Sequence, residues 1–277
     1  LGYSMGAFET LFLAANNPTN MPATGLKATR EASVRQHNGQ AEPLIQFDRY
    51  VAISSPVRVI HGISMLDEFY QAPLQWPATN RAANIENTFL KVAAISQNTF
   101  SPETTLPFDA IESKFIIGVA FRLTLRDIIY SSQRRHNQGV LHHSISTWRR
   151  APLYREILGY SYHDYFEKFV IPYYRSRGLA EPVAATIDKA DDLRTYESGL
   201  RSNPKIRLIF NQNDFLLATQ DLDWFHATFT PAQMKIFPQG GHLGNLANPT
   251  VQKAILAALT PMRPPDPTPE IPVEPKP

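Results

Sequence analysis

Three residues carry the chemistry that can be read from this sequence. Ser4 sits in Gly2-Tyr3-Ser4-Met5-Gly6, evenly spaced between two glycines and followed by a helix-like stretch. A serine hydroxyl becomes a competent nucleophile when a base takes its proton and an acid orients that base. Asp214 follows directly on the apolar run 205–210, in Asn211-Gln212-Asn213-Asp214. His242 follows directly on the run 234–238, in Gly240-Gly241-His242. Such a set attacks a carbonyl carbon and passes through an acyl-enzyme. A helix starting after Ser4 would aim amide donors at the same point, and the Met5 N–H is the natural first oxyanion donor. Asp48 and Asp67, near an earlier apolar run, are alternatives for the acid. Asp214 is favoured because its strand-then-Asn-Asp pattern precedes the histidine so closely.

These side chains converge only if particular elements hold them. A serine is lifted above a sheet by a sharp strand-to-helix turn, where glycines at 2 and 6 spare collisions with the neighbouring strand and helix. The stretch after Ser4 supplies the helix, with Phe8, Leu11, Phe12 and Ala15 at the spacing of one face. A second helix is expected around 25–36. Tyr50-Val51-Ala52-Ile53 reads as a buried strand, as do 206–210 and 234–237. Asn248-Pro249 opens a capped amphipathic helix. Strands alternating with helices predict a parallel sheet, and parallel sheets place their sites at the carboxyl ends of the strands.

The region 65–203 reads differently, as a helical block rich in aromatics and paired charges. In 115–130 the expected buried face is Ile116, Val119, Leu123 and Ile128. An aromatic helix over 160–178 is expected to stop near Pro172 and Gly178. The resulting organisation is a core over 1–64, a helical insertion over 65–203, a returning core over 204–260, and a tail over 261–277. Eight of the last 17 residues are Pro, a composition that favours an extended chain over a packed one.

Composition narrows the function class. The chain has 277 residues, is 43% hydrophobic and carries a net charge of +2, which reads as globular material that does not bind nucleic acid through bulk charge. It contains no cysteine, so disulfides, thiolate zinc sites and a cysteine nucleophile are excluded. The compartment stays open between cytoplasm and a secreted or envelope location. No metal or organic cofactor is required: His136, His142 and His143 cluster without nearby carboxylates and read as loop residues. His61 is a structural residue or a pocket neighbour, and His37, His163 and His226 carry no signal. Over 114–155 Lys114, Arg122, Arg126, Arg134, Arg135, Arg149, Arg150 and Arg155 face a single acid, Asp127. That excess is either a solvated face or an attractor for an anionic substrate or membrane surface.

The motif set Gly2-Tyr3-Ser4-Met5-Gly6, Asp214 and His242, in that chain order, resembles the α/β-hydrolase superfamily over residues 1–64 and 204–260. The resemblance implies a partial α/β-hydrolase sheet beginning at the nucleophile elbow, with the helical block as cap. It implies Ser4 as nucleophile, Asp214 as orienting acid, His242 as general base and Met5 as oxyanion donor. It implies a serine hydrolase of esters, thioesters or amides, with esterase or lipase ahead of peptidase and acyltransferase, and a small-molecule or lipid-like acyl substrate. The superfamily places five strands before its nucleophile and takes a second oxyanion donor from them. This chain lacks them, so it reads as a fragment whose activity alone is in doubt. The other reading is a non-catalytic or truncated relative that acts as a binding module. With those strands missing, the strand containing Val51 is expected at an exposed sheet edge, inviting self-association.

Overall fold

The computed structural model describes residues 1–17, 36–37, 40–41, 47–96, 106–146 and 148–260. Most of the expected helix over 25–36 and the whole Pro-rich tail lie outside these residues.

The described chain is a mixed α/β fold around a four-stranded parallel sheet. In chain order it runs through β1 (Gly2–Tyr3), α1 (Met5–Asn16), a small antiparallel pair β2 (Gln36–His37) and β3 (Gln40–Ala41), and β4 (Tyr50–Ile53). A long helical region follows: α2 (Val59–Tyr70), α3 (Arg81–Ser96), α4 (Ala110–Arg135), α5 (Ala151–Leu158), α6 (Tyr162–Tyr165), α7 (Ile171–Ser176), α8 (Val183–Ala190) and α9 (Glu197–Arg201). The chain then returns through β5 (Ile206–Asn211), α10 (Thr219–Thr228), β6 (Met234–Phe237) and α11 (Pro249–Leu259).

The sheet order is β1-β4-β5-β6, all parallel, with Gly2 opposite Ala52, Tyr50 opposite Ile206 and Leu208 opposite Met234. Two sequence expectations change here. A two-residue strand does precede Ser4, and it pairs with β4. The strand containing Val51 is therefore interior, between β1 and β5, and is buried along its whole length.

Alternation within these strands sorts the core into two layers. Tyr50, Ala52, Ile206, Leu208 and Phe210 point to one face, where they pack with Ala7, Phe8, Leu11 and Ala14 of α1 and Phe225 of α10. Val51, Ile53 and Ile209 point to the other, against Ala254, Ile255 and Ala258 of α11. On α1, Phe12 departs from the expected face: it is 43% exposed and stands edge-to-face with the Tyr196 ring at 5.0 Å. Asn248 caps α11 as expected, accepting from the Thr250 amide at 2.8 Å.

The helical region has its own core of Leu66, Leu125, Ile129, Leu153, Ile157 and Phe169. The buried face of α4 is Phe115, Gly118, Arg122, Leu125, Ile129 and Gln133. Leu123 and Ile128, expected inside, are exposed. The reason is Arg122, which is buried by pairing with Asp67 and so rotates the inward stripe away from the one that hydrophobicity alone marks. Gly118 lets α4 lie directly on the end of α2, since a Cβ there would collide with the backbone of Phe69 and Tyr70.

Pro172 does not stop the aromatic helix. The chain widens into a π-helical turn over Phe166–Val170 and continues into α7, with Pro172 in its first turn. The wider turn makes room for a ring that lacks an amide and would clash in a regular helix. Termination comes at Gly178, whose φ is 83°. Among the described residues no helix is long and apolar enough to cross a membrane.

Candidate active site

The carboxyl ends of β1, β4, β5 and β6 form one rim, and backbone strain collects there. Among the described residues three non-glycine residues have positive φ: Ser4 at 53° after β1, Ser54 at 50° after β4 and Leu243 at 63° beyond β6. Such conformations cost about 1–3 kcal/mol each and persist where the surroundings over-determine them. At Ser4 the surroundings can be named. Its amide donates to the Ile53 carbonyl at 3.0 Å, and its carbonyl accepts from Ala7 and Phe8 as the first turn of α1. Gly2 is required, because a Cβ there would collide with the Gly6 carbonyl and the Thr10 hydroxyl. Gly6 is not required for the reason expected: a Cβ on it meets open space among the described residues.

The turn aims the serine at an imidazole. Ser4 Oγ lies 2.9 Å from His242 Nε2, and His242 Nδ1 lies 2.9 Å from Asp214 Oδ2 and 3.1 Å from Oδ1. These partners fix the tautomer by chemistry: a carboxylate only accepts, so Nδ1 carries the proton and Nε2 accepts from Ser4. The imidazole and the carboxylate are 6% and 1% exposed, so water does not compete for their bond. Asp214 Oδ1 also accepts the Leu216 amide at 3.0 Å. The edge of Phe215 covers the imidazole at 5.6 Å. Met5, the first residue of α1, has an amide that donates to no carbonyl among the described residues, and the residue lies next to Ser4 at the helix N-terminus.

The other candidate acids go elsewhere. Asp48 is exposed and stands before β4, at the opposite end of the strand from Ser4. Asp67 is committed to Arg122 and to the amides of Tyr162 and His163. His142 and His143 both hold Glu156, through ring and amide nitrogens, and His163 pairs with Glu167. Among the described residues no group of three or more His, Asp or Glu is placed to hold a metal ion. Of the basic run, Arg122 is buried, Arg126 binds Asp127 and lies over the Tyr154 ring, and Arg150 lies over Tyr130.

Sequence reading missed the residues that hold the histidine loop. Asn211 and Asn245 exchange side-chain amide bonds, at 2.7 and 3.1 Å. Asn211 also donates to the Gly241 carbonyl at 2.7 Å, and Asn213 accepts the Gly241 amide at 2.9 Å. The conformation is open only to glycine at 240, where φ is 143° and a Cβ would collide with Asn245. The signal for these residues lies in Asn211 and Asn213 before Asp214 and in Asn245 three positions after His242. Asn211→Ala leaves Asn245 and the Gly241 carbonyl without their partner. It is expected to speed amide exchange over 240–245 at least ten-fold, read by hydrogen-exchange mass spectrometry, while exchange in α1 stays unchanged.

A cavity of about 400 Å³ opens beside Ser4 and Met5, between the sheet rim and the helical region. Its walls are mostly apolar, from Val59, Ile63 and Leu66 of α2, Phe121 and Ile128 of α4, and Leu216. His61 is not among its lining residues. Compared with models of known families, with curated proteins and with solved structures, the chain matches none.

Proposed function

We propose that this protein is a serine hydrolase of the α/β-hydrolase type, cleaving a carboxylic ester, thioester or amide through an acyl-enzyme. The observation that carries the reading is the continuous relay from Ser4 Oγ to His242 Nε2 and from Nδ1 to Asp214, both links at 2.9 Å. In the first half-reaction His242 Nε2 takes the Ser4 proton while Oγ bonds to the substrate carbonyl carbon. The carbonyl oxygen becomes an oxyanion beside the Met5 amide and the positive end of α1. The same proton then passes to the leaving group as the C–O, C–S or C–N bond breaks, leaving the acyl group on Ser4. In the second half a water molecule gives its proton to His242, attacks the acyl carbon, and the acid departs as Ser4 regains its proton. Asp214 keeps Nδ1 protonated throughout and stabilises the imidazolium. The apolar cavity beside Ser4 supports an acyl portion with substantial hydrocarbon or aromatic surface.

A fluorophosphonate probe tests this directly. The folded full-length protein is expected to become covalently labelled on Ser4, and Ser4→Ala to abolish the label in intact-mass and peptide mapping. A folded protein that takes up no label overturns the reading in favour of a binding module.

A further inference from the structure

The cavity beside Ser4 is lined by one acidic residue whose carboxylate is paired with no described residue. Four of its polar side chains are already committed: Ser4 to His242, Thr124 to the Ala120 carbonyl, Tyr162 to the Phe121 carbonyl and Tyr165 to Ser132. The remaining polar residue is Asp191, the only acidic residue among the described residues of the lining. It follows the end of α8, and its main-chain carbonyl accepts the Val59 amide at 3.1 Å, which pins it to the cavity wall. No described residue donates a hydrogen bond to its carboxylate or forms an ion pair with it. The neighbouring acids are treated differently. Asp188 lies 3.5 Å from Arg58, and Asp192 is held by both Arg58 and Arg194 at 3.6 Å. Arg58 thus faces Asp188 and Asp192, with its buried Nε making no hydrogen bond among the described residues, and Arg194 is divided between Asp192 and Asp221; neither guanidinium forms an ion pair with Asp191.

A carboxylate in apolar surroundings is costly unless a cation or donor reaches it. Burial, and then the charge of Asp188, push the Asp191 carboxyl above its ordinary range. An arriving cation relieves both. The same cavity carries Phe121, Tyr162, Tyr165 and Phe166, and aromatic rings attract ammonium groups.

Resting on the hydrolase reading, we infer that Asp191 makes this cavity selective for substrates whose apolar acyl portion carries an ammonium group. A fatty acyl chain would fill the space and leave the carboxylate stranded. An aminoacyl or amino-alkanoyl group fills it and pairs the charge. Asp191 then acts in specificity, outside the proton relay.

The test uses matched pairs of p-nitrophenyl esters: 6-aminohexanoyl against heptanoyl, and leucyl against 2,4-dimethylpentanoyl, in which a methyl group replaces the ammonium. For at least one pair, the amine-to-alkyl ratio of kcat/KM, corrected for spontaneous hydrolysis, is expected to fall about ten-fold in Asp191→Asn. Asp191→Glu is expected to keep part of the preference, which separates charge recognition from damage to the fold. In parallel, the corresponding amides are titrated calorimetrically into Ser4→Ala, with and without Asp191→Asn, so that binding is read without turnover. An Asp191-dependent preference for the amine there upholds the inference even if no ester is hydrolysed and no probe labels Ser4, which would sink the hydrolase reading alone. Ratios and affinities that do not move with Asp191 in either pair overturn the inference and leave the hydrolase reading standing.

Discussion

Asp214→Asn is expected to lower kcat for an activated ester about 10⁴-fold while KM stays within a few-fold. The carboxylate is 1% exposed and accepts from both the imidazole and the Leu216 amide, so no solvent molecule can take over its role. An asparagine of the same shape keeps the packing but offers an NH₂ group as readily as an oxygen. If the NH₂ faces His242, it donates to Nδ1, and the imidazole proton moves to Nε2. A protonated Nε2 cannot accept from Ser4, so the nucleophile is left as an alcohol. The effect therefore falls on the chemical step, and fluorophosphonate labelling should slow in parallel with ester turnover. Stability should change little. Pre-steady-state release of p-nitrophenol measures the acylation rate, and a loss below ten-fold would place the orienting acid elsewhere. Asp67 is the control: by its contacts it should affect folding far more than the relay.

How far these features could be read in advance depended on whether their cause was local. The strands at 50–53, 206–211 and 234–237 were legible because a parallel strand buried on both faces is a short continuous apolar run. Ser4, Asp214 and His242 were legible because each sits at the end of such a run or at the start of a helix. The pairing of β1 with β4 was not legible, since two residues carry no periodic signal and their register is set by a strand about 50 residues away. The inward stripe of α4 was misread because the burial of Arg122 depends on Asp67, 55 positions earlier. The path through Pro172 required a π-helical turn that no local pattern announces. Asn211, Asn245 and Asp191 were passed over for the same reason. Their roles come from what the fold leaves paired or unpaired around them, and composition does not encode that.

The Asp67–Arg122 pair shows how the helical region is bound to the site. Arg122 is 6% exposed and Asp67 13%, with Nη2 2.9 Å from Oδ1. The guanidinium lies 4.3 Å from the centre of the Tyr70 ring and also donates to the Tyr160 carbonyl. Asp67 accepts the amides of Tyr162 at 2.9 Å and His163 at 3.0 Å. One carboxylate thus ties α2 to α4 and to the start of α6, and Tyr162 is a wall of the cavity beside Ser4. Asp67→Ala removes the negative partner, leaves the buried guanidinium with only the neutral Tyr160 carbonyl among its described acceptors, and leaves two amides without an acceptor. Breaking such a pair on one side typically costs about 3–5 kcal/mol, more than the pair itself contributes, because the stranded charge bears the full desolvation cost. Urea unfolding of Asp67→Ala is expected to show a loss of that size. Adding Arg122→Met removes the stranded charge and is expected to restore part of the stability. Recovery should be incomplete, since the amides of Tyr162 and His163 still have no acceptor. A single-variant loss below about 1 kcal/mol would mean that water already reaches the pair. The cavity wall at Tyr162 would then have to be held by the packing of Leu125, Ile129 and Phe169 around it.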